Sequence, residues 1–223
     1  MSSSLSNKSN IEKIVLNRVI PDAFASAYPD SEIWNRDFTF EHGKFYRIDA
    51  SSGGGKSSLC SFIYGLRHDY SGSILIGNKN IKSLDGEQLS AIRTLNIAYL
   101  PQDLALFLEL TAEQNIQIKN SLTNHKTQQQ IAEMAQLLGV DSFMHRKVST
   151  LSIGQQQRVA IIRSLCQPFD FILLDEPVSH LDSDNNRAVS QLVINESTAN
   201  GAAIISTSVG NNLMIDNHII VKL

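Results

Sequence analysis

Apolar and polar positions follow two different rhythms along these 223 residues. Short apolar runs at Ile14-Val15-Leu16, Phe45-Tyr46-Arg47-Ile48, Ile97-Ala98-Tyr99-Leu100, Phe171-Ile172-Leu173-Leu174 and Ala203-Ile204-Ile205-Ser206 predict strands. The fourth is apolar throughout, as a strand covered on both faces would be. Between about 111 and 165 no strand pattern stands out. There Ile131, Met134, Ala135 and Leu138 recur at helical spacing before Gly139, and Asn124 is the expected N-cap. Two last runs, Leu213-Met214-Ile215 and His218-Ile219-Ile220-Val221, predict an antiparallel hairpin around Asp216-Asn217. The pattern predicts an α/β fold with a mostly parallel sheet, an antiparallel β portion and a helical insertion at about 103–167. The domain would span 11–223, behind a loose polar tail at 1–10.

Composition narrows the function. A net charge of -3 argues against nucleic acid as a partner. With no uninterrupted apolar stretch of about 18 residues, direct membrane insertion is not expected. The cysteines Cys60 and Cys166 are far apart and read as reduced core thiols. The polar start, Met1 to Asn7, lacks the apolar core of a secretion signal. A cytoplasmic location follows as an expectation, with any membrane contact made through a partner.

Two segments carry phosphate chemistry. Behind the Phe45 strand comes Ala50-Ser51-Ser52-Gly53-Gly54-Gly55-Lys56-Ser57-Ser58, which fits the P-loop pattern G-x-x-x-x-G-K-[ST] except for Ala50. Glycines there let backbone N–H groups converge on phosphate oxygens, and the helix expected from Ser57 to Leu66 presents its positive end. Lys56 would bridge the β- and γ-phosphates, and Ser57 would ligate Mg²⁺. If the first position needs positive φ, Ala50 adds about 1 kcal/mol of strain. The Phe171 strand ends in Asp175-Glu176-Pro177. Carboxylates at the carboxyl end of a buried strand lie where open α/β sheets bind ligands. Asp175 suits Mg²⁺, and Glu176 suits a general base acting on water.

Four more segments make the chain resemble the ATP-binding cassette (ABC) family from about residue 11 onward. Leu151-Ser152-Ile153-Gly154-Gln155-Gln156-Gln157-Arg158 resembles the signature motif L-S-G-G-Q with its Gln-Gln-Arg continuation. Tyr99-Leu100-Pro101-Gln102 resembles the Q-loop, Ser179-His180-Leu181-Asp182 the D-loop, and 106–116 the stretch after the Q-loop. The small ATPases of lipoprotein-release, macrolide-efflux and cell-division complexes are the most similar type. The resemblance implies a P-loop NTPase core and a homodimer with ATP and Mg²⁺ sandwiched between copies. Ser152, Gly154, Gln155 and Asp182 would reach the opposite copy's nucleotide, and Gln102 would touch Mg²⁺ and the attacking water. An integral membrane permease would hold the dimer at the cytoplasmic face of the inner membrane.

Three departures from the family pattern bear on rate: Ala50, Ile153 in place of a signature glycine, and Ser208 at the expected histidine position. Serine can hydrogen-bond but carries no positive charge. ATP binding with slow hydrolysis is the expectation. His180 is expected at an interface or in solvent, and His218 has no place in the site. The adenine stacker is Phe24 or Tyr28, with Tyr28 preferred. Alternatives are a nucleotide-gated module without hydrolysis and a soluble ABC ATPase of DNA repair or translation.

Overall fold

The computed structural model describes residues 10–24, 30–51 and 53–223. Five strands form a wholly parallel sheet: β3 (Phe45–Asp49), β6 (Ile97–Leu100), β7 (Phe171–Asp175), β8 (Ala203–Ser208) and β9 (Ile219–Lys222). Their spatial order is β6-β7-β8-β3-β9. A second, antiparallel sheet runs β2-β1-β4-β5, from β1 (Lys13–Pro21), β2 (Asp37–Glu41), β4 (Tyr70–Ile76) and β5 (Lys79–Asn80). All five strand segments expected from apolar runs are strands. The fourth, β7, is buried along its whole length.

Strand periodicity divides the core in two. Ile172 and Leu174 of β7 face one apolar cluster, shared with helical residues from Ala112 to Val193, while Phe171 and Leu173 face the other, shared with the antiparallel sheet and with Leu59, Cys60, Phe62 and Ile63. The helices are α1 (Lys56–Ile63), α2 (Gly86–Leu95), α3 (Ala112–Asn120), α4 (Gln128–Leu137), α5 (Ile153–Leu165) and α6 (Ser183–Ala199). Among the described residues no helix is long and apolar enough to cross a membrane. Cys60 and Cys166 are free, buried thiols, and burial pushes Cys166 up to about 12.

Three local expectations are corrected. Helix α1 ends at Ile63 rather than near Leu66, because Gly65 closes it in a left-handed turn (φ 72°). The Gly65 and Leu66 N–H groups then donate to the Phe62 and Ser61 carbonyls at 3.0 and 2.8 Å, which satisfies the helix end. Asn124 does not cap α4. It is left-handed (φ 49°) in the turn after α3, and Thr127 caps α4 in a reciprocal box with Gln130. Nor do the last apolar runs form a hairpin. Leu213 and Ile215 are buried in the core, and the Ile215 N–H donates to the Leu213 carbonyl at 3.0 Å, a turn rather than a strand. Only Ile219–Lys222 is a strand, parallel to β3, and Glu32 occupies its outer edge by bonding both backbone groups of Lys222.

Candidate nucleotide-binding site

The site is assembled at the carboxyl ends of the parallel strands. Strand β3 delivers the chain into the loop 50–55, and α1 begins at Lys56. Gly53 and Gly55 are left-handed (φ 81° and 91°). A Cβ on Gly55 would also lie 3.0 Å from Trp34 Cζ2 and 3.2 Å from Phe24 Cε2. Gly54 is needed for space instead, since its Cβ would meet the Ala50 methyl at 2.9 Å. Ala50 is not among the left-handed positions, so the expected strain there is absent. Lys56 is buried, and its ammonium donates to the Ala50 and Ser51 carbonyls at 2.9 and 3.0 Å.

A cavity of about 290 Å³ is lined by Gly53, Gly55, Lys56, Ser57, Ser58, Gln102, Glu176 and Val209. The Ser57 hydroxyl donates to Gln102 Oε1 at 3.4 Å. Asp175 is 2% exposed and accepts from the Thr207 hydroxyl at 2.6 Å. It joins Ser57 and Gln102 along an adjoining cleft. Three oxygen-bearing side chains thus converge from α1, the loop after β6 and the end of β7, a donor set suited to a hard cation such as Mg²⁺. Glu176 follows β7 with a left-handed backbone (φ 53°), and its N–H donates to the Thr207 carbonyl at 3.1 Å.

Other expected residues lie elsewhere. Ser152, Gly154, Gln155 and Asp182 do not line the Lys56 cavity. Ser152 and Gln155 form the reciprocal cap of α5. A Cβ on Gly154 would lie 3.0 Å from the His180 carbonyl oxygen. Asp182 caps α6, and the Asn185 backbone N–H, followed by its side-chain amide, holds the Asp182 carboxyl below the usual carboxylate range. Ser208 is buried, donates to Asn212 Oδ1, and lines a cleft on the other side of the loop with Ala50 and Ser51. His180 is exposed and its Nδ1 lies 3.0 Å from the Ser179 hydroxyl, while His218 Nδ1 lies 2.6 Å from the Ile215 carbonyl oxygen. Tyr28 and Ser52 lie outside the described residues. Phe24 packs edge-on against Trp34, with ring centroids 6.5 Å apart, beside the phosphate loop.

Sequence reasoning missed Trp34, Gln157, Thr207 and Val209. Trp34 is buried and its indole N–H donates to the Gly54 carbonyl at 3.1 Å. It stands 20 positions before Gly54, so no local pattern could link the two. Gln157 lies inside the signature stretch, where the motif gives it no contact of its own.

A glycine-built loop, a buried lysine and a carboxylate at neighbouring strand ends define a P-loop nucleotide-binding domain. The family model described as "ABC transporter" matches residues 33–179, and the chain belongs to that family. A molybdate/tungstate import ATP-binding protein of Pyrococcus horikoshii is 32% identical over 164 residues, 72% of this chain and 46% of that protein. A macrolide export ATP-binding/permease protein of Mannheimia succiniciproducens is 32% identical over 192 residues, 85% of this chain and 30% of that protein. The chain therefore spans less than half of either relative. Among solved structures, a dimeric ATP-binding cassette in a post-hydrolysis state bound to ADP and Pi superposes with TM-score 0.74 at 27% identity, covering 87% of each chain. A dimeric bacterial ABC transporter cassette gives TM-score 0.78 at 26% identity over 94% of each chain.

Proposed function

We propose that this chain is the ATP-hydrolysing subunit of a membrane ABC transporter, working as a nucleotide-sandwiched homodimer on a permease. The carrying observation is that Lys56, Ser57, Gln102 and Glu176 line one cavity at the strand ends. The left-handed glycines turn backbone N–H groups toward the phosphates. The Lys56 ammonium exchanges two loop carbonyls for β- and γ-phosphate oxygens. Ser57, Gln102 and Asp175 would hold Mg²⁺, which when bound neutralises phosphate charge. Glu176 orients a water and accepts its proton as oxygen bonds to the γ-phosphorus and the bond to the β–γ bridging oxygen breaks. Phe24, beside the phosphate loop, or Tyr28 would stack on adenine.

Pairing follows from helix electrostatics. The N-terminus of α5, with Ser152, Gly154 and Gln155, offers backbone N–H groups and a positive dipole end to an anion. Since these residues do not line their own chain's cavity, a second copy's γ-phosphate is their natural ligand, with Asp182 near the same seam. The permease would dock on the loop beyond Gln102, where Phe107 and Leu108 are 55% and 51% exposed. The buried Asn115 side chain fixes that loop, accepting from the Phe107 N–H at 2.8 Å and donating to its carbonyl at 3.0 Å. Such docking would place the dimer at the cytoplasmic face of the inner membrane.

Phosphate release by the protein and by Glu176→Gln, each with and without its permease, tests this reading. Glu176→Gln should abolish turnover and trap an ATP-bound dimer. The neutral Ser208 favours the one rival, a nucleotide-gated module without hydrolysis. Phosphate release no faster than that of Glu176→Gln, even with the permease present, would establish that rival.

A further inference from the structure

We propose that Gln157 is a positioning residue for Glu176, tying the helix that meets the opposite copy's phosphate to the hydrolytic carboxylate of its own chain. The inference deepens the ATPase reading and rests on it. Gln157 lies on α5 and is 1% exposed. Its amide nitrogen donates to the Glu176 backbone carbonyl at 2.9 Å and lies 3.4 Å from the Ser179 hydroxyl, while its amide oxygen accepts from the His180 N–H at 3.1 Å. One buried side chain therefore bonds both the residue after β7 and the loop that leads to Asp182.

The geometry gives these bonds a job. Glu176 has φ 53°, a region disfavoured for a residue with a Cβ, so it persists only where its surroundings enforce it. Both of its backbone groups are held. The N–H donates to the Thr207 carbonyl at 3.1 Å, and the carbonyl accepts from Gln157 and from the Ser179 hydroxyl, the latter at 3.1 Å. Relaxation toward a right-handed backbone would rotate the Cα–Cβ bond and swing the carboxylate away from the cavity that it lines with Lys56. Gln157 stands five residues after Ser152 on the same helix. Movement of α5 when Ser152 and Gly154 engage phosphate is thus carried directly to the Glu176 carbonyl.

Steady-state phosphate release and binding of a fluorescent ATP analogue are measured for the protein, Gln157→Met and Gln157→Asn. Met keeps the volume and deletes all three bonds, while Asn withdraws the same amide by one methylene. The expected result for Gln157→Met is a kcat at least about ten-fold lower, with KM and analogue affinity within about two-fold, because orientation of the base acts on the hydrolytic step alone. Gln157→Asn should show the same split with a smaller loss, and it serves if Met prevents folding. A kcat within two-fold of the parent overturns the assignment. So does a loss of kcat in step with nucleotide binding and thermal stability, which marks a purely structural role. Absence of turnover in the parent overturns the ATPase reading and this inference with it, whereas parental turnover unaffected by Gln157→Met overturns this inference alone.

Discussion

The indole N–H of Trp34 donates to the carbonyl of Gly54 at 3.1 Å, binding the turn before β2 to the middle of the phosphate loop. Trp34 is the only tryptophan in the chain, and its ring also sets the clearance at Gly55. Its fluorescence should therefore change when ATP binds, and the change should vanish in Lys56→Ala. Trp34→Phe leaves the Gly54 carbonyl without its donor, which costs about 1–3 kcal/mol. In a chain of this size that lowers Tm by roughly 2–4 °C per kcal/mol. ATP affinity should fall several-fold as the loop loosens. Calorimetric melting with a nucleotide titration checks both, and an unchanged affinity would separate the indole from phosphate binding.

Turnover of the isolated protein should fall below about 10 s⁻¹, the median for enzymes. The physical reason is Ser208, whose hydroxyl is engaged with Asn212 and which brings no positive charge to the strand end. Ser208→His should raise kcat several-fold, since the cleft of about 420 Å³ beside it gives an imidazole room. The variant should also gain a pH-dependent limb near pH 6.5, the ordinary histidine value, which the parent lacks. A pH–rate profile of both proteins decides it. Equal rates and superimposable profiles would show that this position does not limit hydrolysis.

Strands β3, β6, β7 and β8 of the parallel sheet were legible because each holds a short apolar run, a local signal, whereas the parallel pairing of β9 with β3 is made far along the chain and leaves no such signal. Strands β2 and β4 escaped because charged or small residues interrupt them: Asp37, Thr39 and Glu41 alternate with Phe38 and Phe40, and Gly72 sits within β4. Helix caps were legible in principle. Four helices begin with an Asp, Ser or Thr matched by Gln three residues later, at Asp85, Thr111, Thr127 and Ser152. Asn124 has the residue type of a cap but no glutamine three residues on, whereas Thr127 has Gln130. Lys56, Ser57, Gln102, Asp175 and Glu176 could be read as motifs. Trp34, Thr207 and Gln157 act through contacts 19 to 32 positions away in sequence, and such contacts leave no local mark.

Lys119 on α3 carries a pH-dependent cost. Burial, then the charges of Arg163 and Arg93, pull its ammonium down to about 8. Its neighbours offer little compensation, the nearest being the Arg93 carbonyl at 3.4 Å. The unfolded chain would hold that proton up to about 10.4, so between these values it binds more protons than the folded chain, and stability rises with pH across that window. Below pH 8 the full penalty is present. The side chain is only partly buried, so water screens some of it, and we expect about 1 kcal/mol. Lys119→Met should thus raise Tm by roughly 2–4 °C at pH 7, a gain that disappears by about pH 10.5. Thermal melts across this range check it, and a gain independent of pH would assign the effect to packing.

Gly154→Ala sets two local effects against each other. Alanine favours the helix by up to about 1 kcal/mol over glycine, less in the first turn where Gly154 stands. Against this, the new Cβ would lie 3.0 Å from the His180 carbonyl oxygen, a backbone atom that yields only if the 179–181 segment shifts away from α5. The two effects nearly cancel in stability, so Tm should move by no more than about 2 °C, the equivalent of roughly 0.5–1 kcal/mol. They do not cancel at the dimer seam, because both α5 and the Asp182 segment are displaced from the phosphate they would share. In a Glu176→Gln background, ATP-driven dimerisation should weaken by about ten-fold, roughly 1.4 kcal/mol. Sedimentation or size-exclusion titration with ATP measures this. A Tm loss of many degrees would make Gly154 chiefly a folding requirement, and unchanged dimerisation would remove the signature helix from the interface.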